Sequence, residues 1–309
     1  MLQEKHDFLT DVHTIPTAKT TQFVASNDTR ADALFTQGSW QLAPALKATA
    51  GVRYSREEKQ FENNASLDAN HVTTHLFTVD TDADWSNVSP KLTLDYTLGK
   101  TAMMYADASK GFKSGGFNVS NADAQFDPEK VTAYEVGAKL DWLNHSIRSN
   151  IAVFYDDYSD LQVSAFSQPG VLTITNAASA TNKGVEIENL WLASENWAVE
   201  LNYAFLDARY DKYMTAVSKD APAIDVSGNY LNAAPRNKVT TALRYYLDST
   251  LGLWSTRLEY AWQDKQYFTA FNEDTSSQGA YGLVNARVSL SAPNESWEAA
   301  LFGQNLTNR

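Results

Sequence analysis

The chain contains several stretches of ten or more residues in which apolar and polar side chains strictly alternate. Between 197 and 207 the odd positions are apolar and the even ones mostly polar, the apolar set being Trp197, Val199, Leu201, Tyr203 and Phe205. The same alternation recurs over residues 85–98, 237–248 and 253–264. A period of two indicates β-strands with two unlike faces.

The length of these strands indicates what they cross. Strands of ordinary soluble domains average about five or six residues, whereas a tilted strand that spans a bilayer needs about nine to eleven. We therefore expect an all-β fold, an antiparallel transmembrane β-barrel, of which this chain supplies about thirteen strands.

The connections between the strands alternate in length, as they do in an outer-membrane barrel. Short turns are predicted at 43–44, 99–100, 143–146, 193–196, 248–252 and 292–296. Long loops are predicted at 60–84, 111–130, 158–183, 208–236 and 265–280. The long loops are expected at the outer rim.

Tryptophan placement favours the same orientation. Five tryptophans lie within three residues of a short turn, namely Trp40, Trp142, Trp197, Trp254 and Trp297. Amphipathic rings prefer the depth of the lipid headgroups, so these residues are predicted to form a membrane-interface belt against outer-membrane lipid. The alternative is that they cover the core of a soluble protein.

Composition excludes several other classes of protein. The 309 residues have a mean hydropathy of -0.39 and no run of eighteen apolar residues, which argues against a helical membrane protein. The net charge of -12 argues against nucleic acid as a partner, because phosphate binding needs a basic face. The chain has no cysteine, so neither a disulfide framework nor a thiolate metal site is expected.

Catalytic, metal and cofactor sites are not predicted. Asp80, Asp82 and Asp84 resemble the start of a calcium loop, but Trp85 stands where the sharp-turn glycine is needed and Lys91 where the bidentate glutamate is needed. None of the five histidines lies near a serine or aspartate in a strand-turn-helix context. We therefore expect neither an enzyme nor a resident cofactor.

The two ends of the sequence suggest a portion of a larger barrel. The first residues lack the basic start and apolar core of an export signal. The last residues follow a strand that nothing closes, and an open sheet edge is not tolerated in lipid. Residues 1–309 are expected to form a single partial barrel domain.

Six short motifs then occur in order along the chain. Residues 111–118 read Gly-Phe-Lys-Ser-Gly-Gly-Phe-Asn, and the others lie at 126–137, 152–160, 176–186, 232–236 and 303–308. Together they make the chain similar to the C-terminal barrel portion of a TonB-dependent outer-membrane receptor of the ferric-siderophore type. Each motif is weak alone, and their order and spacing carry the resemblance.

The resemblance implies a function. Such receptors have about twenty-two strands, an N-terminal plug domain absent here and a segment that contacts the TonB complex. They reside in the outer membrane of Gram-negative bacteria and import a scarce ligand, here expected to be a ferric siderophore, although haem, cobalamin and oligosaccharide receptors share the scaffold. The alternatives are a passive porin-like or structural barrel and, more weakly, a soluble β-rich binding module.

Candidate residues follow from the expected barrel. Ligand contact is predicted for aromatic or basic residues of the outer loops: Phe112, Lys113, Phe117, Tyr158, Phe166, Tyr210, Tyr213, Phe268 and Phe271. Ordinary loop packing is the competing interpretation for each of them. The inner wall is predicted to carry Lys47, Arg53, Lys91, Asp95, Glu135, Lys139, Arg148, Glu200, Arg244, Arg257 and Glu259.

Overall fold

The computed structural model describes residues 2–14, 19–69, 72–122, 125–168, 171–217 and 221–308. Almost all of them lie in strands: β1 Leu2–Thr14, β2 Lys19–Ala43, β3 Leu46–Ala69, β4 Val72–Leu98, β5 Ala102–Lys113, β6 Gly116–Phe117, β7 Gln125–Phe126, β8 Glu129–Trp142, β9 Ile147–Gln168, β10 Val171–Leu192, β11 Trp197–Thr215, β12 Ile224–Asp225, β13 Asn237–Ser249, β14 Gly252–Gln263, β15 Gln266–Tyr267, β16 Ser277–Gln278, β17 Tyr281–Ser291 and β18 Glu298–Gly303. A 3₁₀ turn at Asp274–Ser276 is the helical element of this part of the chain, and no helix within it is long and apolar enough to cross a membrane.

One antiparallel sheet contains thirteen of these strands in chain order, β1-β2-β3-β4-β5-β8-β9-β10-β11-β13-β14-β17-β18. β12 pairs with β11 beside this path, and β6–β7 and β15–β16 form two small hairpins within loops. Each strand therefore pairs with its sequence neighbour, as the alternating pattern predicts. The expected number of strands and the all-β antiparallel fold are both confirmed.

Some strands are about twice as long as others, and the sequence did not reveal this difference. β2, β3 and β4 contain 25, 24 and 27 residues, whereas β13, β14 and β17 contain 13, 12 and 11. The prediction of long loops at 60–84 and 158–183 was wrong, because β3–β4 and β9–β10 stay paired far beyond the length needed to span a bilayer. These two pairs are called the tall hairpins below.

The sheet has a charged face and an apolar face. Lys47 pairs with Asp95 across β3–β4, and Arg244 pairs with Arg257 across β13–β14. Following the register from strand to strand places all eleven predicted inner-wall residues on this one face. The other face exposes large apolar side chains, among them Leu92, Leu94, Val136, Val153, Leu201 and Leu258. The two faces are called inner and outward.

Several charges on the inner face are paired with one another. Lys47 Nζ lies 2.8 Å from Asp95 Oδ2, and Lys91 Nζ lies 3.1 Å from Asp107 Oδ2. Arg257 bridges Glu200 at 2.7 Å and Glu259 at 2.6 Å, and Arg244 contacts the same Glu200. These side chains are 16–56% exposed, so each pair contributes at most about 1 kcal/mol to stability and mainly fixes the charged side chains along the wall.

Candidate functional site

The glycine-rich motif forms a strap that folds over the inner face. This strap comprises residues 114–128, the segment between β5 and β8, of which 123 and 124 lie outside the described set. A Cβ at Gly115 would lie 2.4 Å from the Phe126 carbonyl oxygen and 2.5 Å from the Trp85 ring, and one at Gly116 would lie 2.7 Å from the Phe126 ring. Glycine is therefore required because the backbone touches its neighbours, not for a positive φ.

One side of the strap packs on the first tall hairpin. Phe117 stacks on Phe61 with ring centroids 5.1 Å apart and planes at 9°, and its ring centroid lies 6.0 Å from that of Trp85. Phe61 is 1% exposed. The first inner cluster consists of Ala25, Phe61 and Val79, with Phe77, Phe117 and Val119 packed against them. Strands β2, β3 and β4 thus form a floor for the strap.

A lysine inside this contact holds the strap backbone. Lys59 Nζ donates to Ser114 Oγ at 2.8 Å and to the Gly115 carbonyl at 2.7 Å, and it lies 5.5 Å from the Trp85 ring centroid. Burial lowers the pKa of the Lys59 ammonium, and the neighbouring Glu57 carboxylate partly offsets this effect. The ammonium is therefore a structural cation that replaces its water shell with strap oxygens.

The other side of the strap is clamped to the second tall hairpin by asparagines. The Asn118 side chain donates to the Ile174 carbonyl at 2.9 Å and accepts from the Ile174 N–H at 2.7 Å. Asn176 makes the reverse clamp, because its amide brackets the backbone N–H and carbonyl of Asp127 at 2.7 Å each. Residues from three of the sequence motifs, 111–118, 126–137 and 176–186, therefore meet at one place.

Further polar contacts complete this junction. Gln162 Nε2 donates to the carbonyls of Ser114 and Asp127 at 2.9 and 3.0 Å, and its backbone N–H donates to Glu129 Oε2 at 2.9 Å. The strap consequently spans the inner face between the two tall hairpins and fixes one relative to the other.

A second inner cluster lies on the C-terminal side of these hairpins. It contains Val163, Ala178, Tyr210, Tyr213, Val226 and Ala270, with Leu161, Leu231 and Phe271 packed against it. Residues 224–236 run antiparallel to β11 and hydrogen-bond to it through the Tyr210, Tyr213 and Ala208 backbones. Burial raises the pKa of Tyr210 to about 12, and Tyr213 beside it acts in the same direction.

An asparagine clamp also closes the second cluster. Asn272 Nδ2 donates to the Tyr230 carbonyl at 3.0 Å, and Asn272 Oδ1 accepts from the Tyr230 N–H at 2.7 Å. Asn229 adds a bond to the Ala270 carbonyl at 2.8 Å. The loop at 265–280 is thereby joined to the segment 224–236.

The nine predicted ligand-contact residues fall into different environments. Phe117, Tyr210, Tyr213 and Phe271 take part in the two inner clusters, and Tyr158 is partly buried on the inner face. Lys113 and Phe268 are exposed, Phe268 to 51%. Phe112 lies on the outward face, one residue out of phase with the inner Lys113. The side chain of Phe166 is outside the described set.

The five predicted belt tryptophans lie near the short turns in the structure. Trp40, Trp142, Trp197 and Trp297 are 41–56% exposed, and Trp254 is partly buried. Trp191 was missed, although it stands just before the turn at 193–196 and is 47% exposed. Its position, two residues before that turn, meets the criterion used for the other five tryptophans and could have identified it from the sequence.

Comparison with known proteins identifies the family. A family model described as "TonB dependent receptor-like, beta-barrel" matches residues 5–306. The chain belongs to this family. Members of the TonB-dependent receptor family are outer-membrane proteins of Gram-negative bacteria and are transporters rather than enzymes. The resemblance and the outer-membrane location expected from the sequence are confirmed.

Curated relatives are distant and longer than this chain. A pesticin receptor of Yersinia pestis is 23% identical over 312 residues, covering 99% of this chain and 43% of the relative. A ferric-pyoverdine BN7/BN8 receptor of Pseudomonas putida is 26% identical over 197 residues, covering 63% of this chain and 22% of the relative. The chain therefore spans less than half the length of these two relatives.

Solved structures share the fold. The ferric yersiniabactin uptake receptor FyuA from Yersinia pestis superposes with a TM-score of 0.77 at 22% identity, covering 99% of this chain and 44% of that one. The ferric-catecholate import receptor Fiu from Escherichia coli K12 gives 0.67 at 14% identity, covering 99% of this chain and 50% of that one. At these identities the likeness concerns the barrel architecture.

Proposed function

We propose that the complete protein is an energy-coupled outer-membrane receptor that imports a ferric siderophore, and that this chain forms part of its barrel wall and outer loops. The TonB complex would supply the energy through a part of the protein outside this chain. The family assignment and the names of the relatives support this proposal. The observation that carries it is the strap.

In the complete barrel, the strap would narrow the outer end from within. It lies on the inner face and is fixed at both ends, by Phe61 and Lys59 on one side and by Ile174 on the other. A loop held by this many contacts presents a defined surface to a ligand that arrives from outside. A wide passive pore has no need of such a surface, so the arrangement favours a selective receptor.

Among the described residues, Lys113 beside the strap and Phe268 in the loop at 265–280 are the predicted contact residues that are exposed. Lys113 is exposed at the end of β5 on the inner face, and its ammonium can meet the carboxylate or phenolate oxygens of an anionic chelate. Phe268 offers an exposed ring to an organic ligand. We assign first contact to these two and a supporting role to Phe117, Tyr210, Tyr213 and Phe271.

Growth under iron limitation tests the proposal. A strain lacking the gene is supplied with a panel of purified ferric siderophores, and growth is compared after complementation with the wild type, with Lys113→Gln and with Lys100→Gln. Lys100 lies exposed in the short turn after β4, so its replacement removes the same charge at the opposite rim. We expect one ferric chelate to require the gene and TonB, with uptake weakened by Lys113→Gln and unchanged by Lys100→Gln.

Two results would contradict the proposal. The first is growth on every chelate without the gene, accompanied by no measurable chelate binding to the purified complete protein. The second is steady ion conductance of the complete protein in planar bilayers without any energy source, which would support the passive porin instead.

A further inference from the structure

A pair of arginines stands on the outward face, away from the inner strap. β11 is paired in unbroken register from Ala198 to Tyr210, so Arg209 lies on the same face as Leu201, which is exposed among the apolar residues of the wall. Arg209 is twelve residues beyond Trp197. Because a tilted strand crosses the bilayer in about nine to eleven residues, Arg209 emerges where the outer-leaflet headgroups lie.

The position of Arg209 is fixed by four contacts. Its guanidinium donates to Asp207 Oδ1 at 2.7 Å, to the Gly228 carbonyl at 2.7 Å and to the Tyr230 hydroxyl at 2.6 Å. It also lies 4.0 Å from the centroid of the Tyr230 ring. The backbones of Arg209 and Tyr230 form a β-bridge, which brings both side chains to the same side.

Arg236 brings a second guanidinium to the same ring. It lies 5.6 Å from the Tyr230 centroid and 5.5 Å from that of Phe205, another outward residue of β11. Arg236 is exposed, and no described carboxylate lies within salt-bridge distance of it. Two like charges near one ring repel each other unless an anion joins them.

Lys183 adds a third cation to this surface. It faces Asp207 across β10–β11, with Nζ 3.8 Å from Asp207 Oδ2. Among the described residues, Asp207 is the carboxylate that contacts both Lys183 and Arg209, so these two cations share one anion while Arg236 has none within salt-bridge distance. Aromatic residues Phe205 and Tyr230 lie between the charges and continue the apolar surface below.

We propose that Arg209, Arg236 and Lys183 form a binding site for the phosphate groups of a phosphorylated lipid of the outer leaflet. Guanidinium groups recognise phosphate oxygens through paired N–H donors, and basic pockets on membrane proteins bind anionic headgroups. The outward position selects a lipid over the transported ligand, because a chelate in the barrel interior faces the opposite side of the sheet. The proposal is independent of which ligand is imported.

Native mass spectrometry of the complete protein in detergent tests this site. The probe is a bis-phosphorylated lipid A, compared with the same lipid after enzymatic removal of its phosphates. Arg236→Gln is the informative variant, since no described hydrogen bond of its side chain is lost. Arg30→Gln is the matched control, because Arg30 is also exposed on the outward face but is ion-paired with Asp32.

We expect Arg236→Gln to weaken binding of the phosphorylated lipid by about fivefold, the typical contribution of one basic residue near an anionic membrane surface. Binding of the dephosphorylated lipid and binding to Arg30→Gln should show no such change. Equal binding of both lipids by the wild type, or unchanged binding by Arg236→Gln, would overturn the proposal.

Two further measurements keep the result interpretable. Heat-modifiable mobility on gels reports whether each variant barrel is folded before binding is compared. Inorganic phosphate is titrated as a competitor: displacement of lipid only at concentrations far above that of the lipid supports a lipid site, whereas equal displacement at matched concentration identifies a free-anion site and overturns the assignment.

Discussion

In both inner clusters a loop segment covers the inner face of the sheet, but the two segments are held there by different contacts. In the first, a loop that contains only the short β6–β7 hairpin is packed onto three long strands, with Phe61 and Phe117 stacked at its centre. In the second, the segment 224–236 pairs with β11 as an additional strand and buries Tyr210 and Tyr213 behind it. One cluster depends on close approach between surfaces, the other on backbone pairing.

Because of this difference, the two clusters differ in which positions tolerate a larger side chain. The strap tolerates no Cβ at Gly115, because a carbonyl and an indole ring already fill that space. The loop of the second cluster contains Gly279, around which a Cβ would meet nothing within 4 Å. Both clusters nevertheless use an asparagine clamp, with Asn118 on Ile174 in one and Asn272 on Tyr230 in the other.

Truncation of the buried ring should produce the largest effect. We expect Phe61→Ala to lower the free energy of unfolding by about 3–5 kcal/mol, because a fully buried phenylalanine leaves a cavity when it is removed. Phe268→Ala, in the exposed loop of the second region, should change it by less than about 0.5 kcal/mol. Urea unfolding of the complete protein in lipid vesicles gives both values, and similar losses in the two variants would contradict the assignment of Phe61 to a core.

Adding volume at the strap should come next. Gly115→Val forces the strap away from Trp85 and Phe126, and overpacking of this kind costs about 1–3 kcal/mol. Gly279→Val adds the same side chain where space is open. Chymotrypsin cleavage after Phe117 and Phe126, both in the strap, reports its detachment. We expect rapid cleavage only in Gly115→Val, and equal protection in both variants would show that the strap adapts.

The sequence predicted the wall better than the rims. Alternation across the bilayer arises because one face meets lipid and the other meets water, so the inner charges and the short turns could be located directly. Above the bilayer the outward face of β3 and β4 no longer meets lipid and the inner face is covered by the strap, so the alternation of apolar and polar residues weakens. Residues 60–84 therefore resemble a loop although they remain paired. The hairpin there is maintained by backbone hydrogen bonds that composition does not reveal.

The contacts of the strap were also beyond the sequence. The motif at 111–118 was recognised, yet its role depends on Ile174 and Gln162, which lie 56 and 48 residues from their partners Asn118 and Ser114. The sequence does not indicate which distant backbone groups a polar loop side chain will hydrogen-bond. Aromatic loop residues were read as ligand contacts for the same reason, while the structure places four of them in packing clusters.

The clamps test whether the two regions share one device. Asn118→Asp and Asn272→Asp keep the shape of the side chain but replace the amide donor with a second acceptor facing a carbonyl. Each should cost about 1–2 kcal/mol, within the range for a hydrogen bond lost from a buried group. Asn232→Asp, at an exposed position, is the control. If the unfolding midpoint falls in one clamp variant but not in the other, the asparagine clamp stabilises only one of the two regions.

The smallest effect concerns pH and should distinguish the second cluster from the first. Because burial raises the pKa of Tyr210 to about 12 from a usual value of 10.0, the folded protein holds the phenolic proton of Tyr210 more tightly than the unfolded chain does. The stability contributed by the neutral ring is therefore complete below about pH 10 and is lost as the pH rises toward 12. Tyr210 lies beyond the bilayer, so solvent hydroxide can reach it once the loop opens.

Absorbance at 295 nm follows the ionisation of tyrosine. A nitroxide attached to Phe268→Cys, in a chain that otherwise has no cysteine, follows the motion of the loop at 265–280. We expect the label to gain mobility between pH 10 and 12 in the wild type and to stay restricted in Tyr210→Phe, whose ring cannot ionise. Tyr134→Phe, an exposed tyrosine on the outward face, should behave as the wild type. Equal loosening in Tyr210→Phe would assign the transition to another group, and the second cluster would then owe its closure to backbone pairing alone.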